Sequence, residues 1–141
     1  GQPRMTIREE IRAMFAQAFA ADPVLGAAQI LKPFELERAA ADQDRAEVYL
    51  VVIVSAEQKI CDDFGQCELE IVIGTQLYED PEKTRLDEFQ QAVEAQLANP
   101  AAFRSARLTV DGIEYLAADP PDAEENYNIV SLKRNLFYTF N

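Results

Sequence analysis

Two β-branched runs joined by a short polar segment constrain this chain more than any other feature. The runs cover residues 47–55 and 68–75, and the segment between them contains Asp-Asp-Phe-Gly at positions 62–65. β-Branched residues favour strands, whereas Asp and Gly favour tight turns. The stretch therefore predicts two antiparallel strands, joined by a hairpin turn, at the centre of the fold.

The two runs differ in how their apolar side chains alternate. The first run is apolar on both faces, with Val48, Leu50, Val52 and Val54 on one face and Tyr49, Val51 and Ile53 on the other. A strand of this kind is covered on both sides, which is typical of a central strand. The second run alternates Leu69, Ile71 and Ile73 with Glu68 and Glu70, which predicts one face in water.

Length and charge limit the class of protein. The 141 residues fit one domain, which we assign to residues 5–141, and residues 1–4 ahead of Met5 are interpreted as a cloning remnant. The net charge of −12 opposes nonspecific binding to nucleic acid or to an anionic membrane. No apolar run approaches the roughly 20 residues of a membrane helix, so we expect no membrane partner.

Two helices are predicted from their start signals and apolar stripes. Thr6 and Glu9 form a capping box, so the first helix begins near Ile7 and ends at Asp22-Pro23. The second begins at Asp80-Pro81 and runs to about residue 98, with an apolar stripe of Leu86, Phe89, Val93 and Leu97. The fold class is therefore α+β, an antiparallel sheet with two main helices packed on one face.

The remaining segments give weaker signals. Residues 29–36 predict a short edge strand interrupted by Pro33, and residues 39–45 a polar loop or helical turn. Residues 107–116 predict a smaller hairpin that turns at Asp111-Gly112, and residues 118–128 a long acidic loop. In the final strand, 129–140, Arg134 interrupts the inward apolar face, which predicts a bulge near 133–135 or a polar contact to a neighbouring chain.

The commonest catalytic base and the common catalytic motifs are missing, and a carboxylate pair carries little weight in a chain with 25 acidic residues. The chain has no histidine and no GxxxxGK[ST], GxGxxG or GxSxG motif, so we expect neither an enzyme nor a cofactor. Cys61 and Cys67 would face each other if the hairpin turned about Phe64 and Gly65, which would allow a disulfide or a shared metal. Two reduced thiols on a hairpin are the simpler interpretation.

Two sets of residues are candidates for contact with other molecules. Tyr49, Val51 and Ile53 lie under helices or a loop, or form an exposed subunit interface if helices cover only one side of the sheet; Arg134 is a further interface candidate. Asp62, Asp63, Glu68 and Glu70 are either solvated surface or the acidic tip or lumen wall of a pore. A pore that passes DNA needs like charge, so that the phosphate backbone does not stick.

The order of elements resembles the tail terminator proteins of long-tailed bacteriophages, also called tail completion or minor tail proteins. The segments that carry the resemblance are TIREEIRAMFAQAF, EVYLVVIVSAEQK, CELEIVIGTQ, TRLDEFQQAVEAQL and NIVSLKRNLFYTF. It implies a non-enzymatic homo-oligomer, typically a hexameric ring, that caps the tail tube and offers a face for head joining. The implied partners are the tail tube protein, a head-completion or neck protein and passing DNA, and the implied location is the virion tail, or the host cytoplasm during assembly. A related interpretation is another ring-forming component of the phage neck or tail tube, whose subunits would pack in the same way.

A different class of function also fits the charge. An acidic binding module, or a DNA mimic that occupies a basic host surface, predicts acids on one continuous face and a monomer or dimer. A ring component instead predicts two different and complementary contact surfaces, because head-to-tail contacts close a cycle.

Overall fold

A computed structural model describes residues 5–33, 47–124 and 126–141 of the chain. Within these ranges lie two α-helices, which are α1 (Ile7–Ala21) and α2 (Thr84–Leu97), and five strands, which are β1 (Gln29–Leu31), β2 (Val48–Cys61), β3 (Phe64–Gln76), β4 (Leu108–Glu124) and β5 (Tyr127–Phe140). Short 3-10 turns at Leu25–Ala27 and Pro100–Ala102 follow the two helices. Residues 1–4 and the predicted loop at 39–45 lie outside the described residues.

The five described strands form one sheet in the order β1-β2-β3-β5-β4. β1 runs parallel to β2, and every other neighbouring pair is antiparallel. The α+β prediction is confirmed, and so is the inner position of β2. β1 is the predicted edge strand, and it ends two residues before Pro33.

Both helices pack on the same side of the sheet, which we call the helix face. Alternate residues of β2, β3 and β5, such as Leu50, Ile71 and Leu132, point to this side and are fully buried. They meet the apolar stripes of the helices, in which Ile11, Phe15, Phe19, Leu86, Phe89, Val93 and Leu97 are all buried. Burial of each large side chain contributes about 1.5–3 kcal/mol, so this layer is the main source of stability.

The first helix has the predicted ends. The hydroxyl of Thr6 accepts the backbone N–H of Glu9 at 3.2 Å, and Asp22 ends α1. The Asp22 carboxylate then accepts the backbone N–H groups of Val24 and Leu25 at 2.8 and 3.1 Å, which turns the chain away from the helix axis.

The second helix starts later than predicted. α2 begins at Thr84, after Lys83 in a left-handed conformation with φ of 62°. The Asp80 carboxylate accepts the backbone N–H groups of Arg85 and Leu86, both at 2.9 Å, so it caps the helix from across a turn. The start signal at Asp80-Pro81 was therefore correct in residue type and wrong by several residues in position.

The central hairpin is longer than predicted and turns elsewhere. Cys61 pairs with Phe64, so the turn is Asp62-Asp63 and not Phe64-Gly65. Gly65 is instead a strand residue whose missing side chain leaves room for the ring of Tyr138. Because Cys61 lies opposite Phe64, three residues before Cys67, the two thiols are not cross-strand partners.

One strand, β4, replaces the predicted smaller hairpin and acidic loop. Residues 108–124 pair with β5 along their whole length, with register shifts at 110/112, 115/117 and 119/122. These bulges accommodate Gly112 and the two prolines, Pro120 and Pro121, because an edge strand tolerates a missing N–H donor. β5 pairs with β3 without a shift, so the bulge predicted near Arg134 lies instead on β4, at Leu116.

Candidate assembly surfaces

The side of the sheet away from the helices, which we call the opposite face, is partly buried. Tyr49 and Val51 lie here at 4% and 0% exposure, in a small apolar cluster with Leu31, Val72 and Tyr127. The rings of Tyr49 and Tyr127 meet edge to face with centroids 4.9 Å apart. Because Ile53 is only partly buried, it is the one residue of the predicted apolar trio with appreciable surface left for a partner.

Arg134 lies on the helix face and therefore does not join that trio. Its side chain is 10% exposed, donates to the carbonyl of Lys133 at 2.9 Å and lies 3.8 Å from the Glu94 carboxylate of α2. Its guanidinium also sits 4.9 Å from the centre of the Tyr115 ring, a cation–π contact. The four predicted interface residues are thus not one patch, and their role in a subunit contact stays a prediction.

The four predicted acidic residues fall in two places. Asp62 and Asp63 form the exposed turn between β2 and β3. Glu68 and Glu70 lie on the opposite face, where Glu68 is exposed and Glu70 is half-buried and accepts a hydrogen bond from the Ser131 hydroxyl. A lumen wall and a tip would therefore be separate surfaces.

The opposite face carries further acids from β4. Glu114 lies beside Asn135, which is also the neighbour of Glu68, so the two glutamates flank one residue of β5. Asp119 is exposed and lies 3.8 Å from the ammonium group of Lys133. This exposed part of the sheet is thus anionic, with Lys133 as a local counter-charge.

Sequence reasoning missed several exposed apolar side chains. Tyr115 and Leu116 of β4 are 68% and 44% exposed, and Ile60 near the end of β2 is 49% exposed. Tyr78, in the turn after β3, is 92% exposed. The hairpin predicted at 107–116 did not identify Tyr115 and Leu116 as exposed. A bulge turns two adjacent residues outward, and it therefore breaks the alternation by which exposed residues of a strand are recognised in a sequence.

Two carboxylates with lowered pKa values, those of Glu10 and Asp22, hold elements together. Burial alone would raise the pKa of Glu10, but hydrogen bonds from Arg107 and Ser105 and the Arg107 charge hold it below its ordinary value. Hydrogen bonds from Gln96, Leu25 and Val24 likewise outweigh burial and lower the pKa of Asp22. These groups stay ionised near neutral pH, so they suit structural bonding more than proton transfer.

Both thiols are free, with Cys61 exposed and Cys67 buried. Burial raises the pKa of the Cys67 thiol to about 12, and the nearby Glu57 and Glu68 carboxylates add to the rise. Among the described residues, no group of three or more Cys, Asp and Glu side chains is arranged to hold a metal.

Comparison with known proteins supports the fold alone. No protein-family model matches the chain, and no curated protein matches it. Solved structures do match, and one of them, whose name is a sequence identifier that describes no function, has a TM-score of 0.55 at 13% identity and covers 94% of each chain. In the described part of the chain, no helix combines the length and apolar character required to cross a bilayer.

Proposed function

We propose that this chain is a non-enzymatic structural protein of a bacteriophage tail, which assembles into a ring, caps the tail tube and contributes to joining the tail to the head. The observation that carries the proposal is a pair of unlike, exposed sheet edges on opposite sides of the molecule. The outer side of β4, which we call the β4 edge, has no partner among the described residues apart from an isolated antiparallel bridge between Arg104 and Thr109 at its start. The outer side of residues 52–61, the β2 edge, is also unpaired there, since β1 reaches only from Tyr49 to Val51.

Two unlike edges favour a closed ring over a simple dimer. When one surface of a subunit binds a different surface of the next, the contact is head-to-tail, and it closes a ring if the rotation permits. An unpaired edge exposes a row of backbone donors and acceptors that can pair with another chain. In the part of the chain that the structure describes, each copy offers one such row on each side.

The anionic opposite face suits the lumen of such a ring. Glu68, Glu70 and Glu114 would repel a phosphate backbone, so DNA would pass without tight binding. The tail tube protein and a head-completion or neck protein are the partners this role requires, and the virion tail is its location.

Negative-stain microscopy of growing tail tubes mixed with this protein tests the proposal. Capped tubes of uniform length are the expected result, whereas unchanged, continually lengthening tubes would overturn it. Native mass spectrometry gives the number of subunits per ring. A protein that stays monomeric or dimeric and binds a basic protein instead would favour the acidic-module alternative.

A further inference from the structure

We infer that copies of this chain join by antiparallel pairing of the β4 edge of one copy with the β2 edge of the next. This inference rests on the proposed function, and it names the surfaces through which neighbouring subunits of the ring would bind each other. The partner it commits to is a second copy of the same chain.

Strand direction supports this pairing. β2 and β5 run one way, and β3 and β4 run the other. Rotation about an axis roughly along the strands preserves their direction from copy to copy. The β4 edge would therefore meet an oppositely directed β2 edge, which allows the more stable antiparallel ladder.

The two free stretches also lie at the same level of the sheet. A row of paired residues crosses the sheet from β2 to β4. One such row consists of Val52, Ile71, Leu132 and Ala118, and another consists of Cys61, Phe64, Thr139 and Thr109. The β2 edge, 52–61, thus spans the same rows as residues 109–118 of β4. Within that stretch residues 111–118 are free on the outer side, because Thr109 is bridged to Arg104 and the Val110 N–H donates to the Phe103 carbonyl at 3.0 Å. The two prolines, which lack the N–H donor that a ladder requires, lie just beyond this stretch at 120 and 121.

Charge argues against β4 pairing with itself. Its sequence contains five acidic residues and no basic one, so two β4 edges side by side would set like charges against each other. The β2 edge carries Lys59 as an exposed base, and its one acid, Glu57, is paired with Arg8 at 2.9 Å. Lys59 lies on the row of Val110, directly beside Asp111.

Exposed apolar side chains complete the match. Tyr115 and Leu116 project from the β4 edge at the level of Val54 and Ile53, and Ile60 projects from the β2 edge. The Arg134 guanidinium packs against the Tyr115 ring. Tyr and Arg are both enriched among the residues that contribute most to binding at protein interfaces.

The test uses one disabling variant for each edge. Leu116→Lys places a base on the β4 edge, opposite the edge that carries Lys59, and Ile60→Glu places an acid on the β2 edge, opposite the acidic β4 edge. Both positions are exposed, so the fold is retained. Tyr78→Lys and Tyr78→Glu are the controls, because they introduce the same charges away from both edges. Native mass spectrometry at rising concentration is the measurement, and we expect each edge variant alone to assemble about tenfold or more weakly than the wild type, with the controls unchanged.

Mixing the two edge variants gives the decisive result. The Ile60→Glu chain keeps its β4 edge and the Leu116→Lys chain keeps its β2 edge, so the equimolar mixture should stop at a one-to-one dimer. A dimer of the Ile60→Glu chain alone, or rings from both variants alone, would overturn this contact and leave the proposed ring intact. A wild-type chain that assembles at no concentration and caps no tubes would overturn the proposed function itself.

Discussion

The hydroxyl of Thr75 donates a hydrogen bond to the carboxylate of Asp80 across 2.8 Å, and both residues are buried. The same carboxylate caps α2, while the Asp80 carbonyl accepts the side-chain amide of Asn128 at 2.7 Å. One residue therefore ties the end of β3, the start of α2 and the start of β5 together.

We expect Asp80→Asn to destabilise the protein by about 1–3 kcal/mol at pH 7, because it removes a charged acceptor from several buried donors. Burial alone would raise the pKa of Asp80, but the bonds from Arg85, Leu86 and Thr75 outweigh it and lower the pKa below its ordinary value of 3.8. A lowered pKa stabilises the fold above the ordinary value, and that contribution is lost as the pH falls through the folded-state pKa.

Urea unfolding of both proteins at several pH values between 7 and 3 measures this. The difference in unfolding free energy should shrink as the pH falls below 3.8. Asp62→Asn, at the exposed hairpin turn, is the control and should leave stability within about 0.5 kcal/mol. A difference for Asp80→Asn that is constant with pH would contradict the role assigned to its charge.

Gly74 is expected to resist substitution because the Tyr49 ring lies where its Cβ would be. Gly74→Ala should therefore displace the Tyr49–Tyr127 pair and destabilise the protein by about 1–3 kcal/mol. Gly112→Ala is the matched control, since its Cβ would lie at an ordinary 3.7 Å from Phe137. Thermal unfolding of the two variants separates them, and equal melting temperatures would refute the steric explanation.

Thiol reactivity should distinguish the two cysteines. Cys61 is exposed, whereas Cys67 is buried with a pKa of about 12, so a thiol reagent at pH 8 should modify one cysteine in the native protein and two in denaturant. Cys61→Ser should abolish the native reaction, and Cys67→Ser should leave it unchanged. No native reaction in the wild type would indicate a disulfide or a covered Cys61.

The contact between Glu10 and Arg107 should stabilise the join between α1 and the segment before β4. Glu10 accepts from the Arg107 guanidinium and from the Ser105 hydroxyl, both at 2.6 Å, and Arg107 also donates to the Met5 carbonyl at 2.7 Å. Glu10→Gln should cost about 1–2 kcal/mol of unfolding free energy in urea. Glu88→Gln, on the exposed side of α2, should change it far less, and an equal loss for both would count against this role.

Charge reversal on the opposite face tests the proposed lumen. A variant with Glu68→Lys and Glu114→Lys places two bases beside Asn135 and should bind duplex DNA that the wild type does not, with an affinity that falls steeply as salt increases. Fluorescence anisotropy measures the binding. Asp87→Lys with Glu88→Lys, on α2, makes the same charge change elsewhere, and equal binding by that control would show a net-charge effect only.

Periodicity was sufficient to predict the core of the fold. The double-sided apolar pattern of β2 and the stripes of both helices are local signals, and they are confirmed by burial. The one-sided pattern of β3 holds only around Glu68 and Glu70, because Val72 and Gly74 are buried on the face predicted to lie in water. Arg134 was also recognised as an exception on an inward face. Its partners, Tyr115 and Glu94, could not be foreseen, because they come from β4 and α2.

β4 could not be predicted from local signals. Asp-Gly at 111–112 and Pro-Pro at 120–121 have the composition of turns, yet pairing with β5 holds them in a bulged edge strand. That pairing joins residues far apart in sequence, such as Leu108 and Phe140. Tertiary pairing thus overrode turn propensity there, and the exposed Tyr115 and Leu116 were missed with it.

The position of β5 has a kinetic consequence. β4 is made before β5, yet among the described strands β5 is its only ladder partner, and β5 also completes the second side of β3. During synthesis, β4 therefore stays unpaired until β5 has left the ribosome. Its prolines, bulges and acids would keep that unpaired segment from aggregating. Because Glu124 pairs with Tyr127, β4 and β5 form a local hairpin, and the slower step of folding would be the docking of this hairpin on β3, which joins residues as far apart as Phe64 and Thr139.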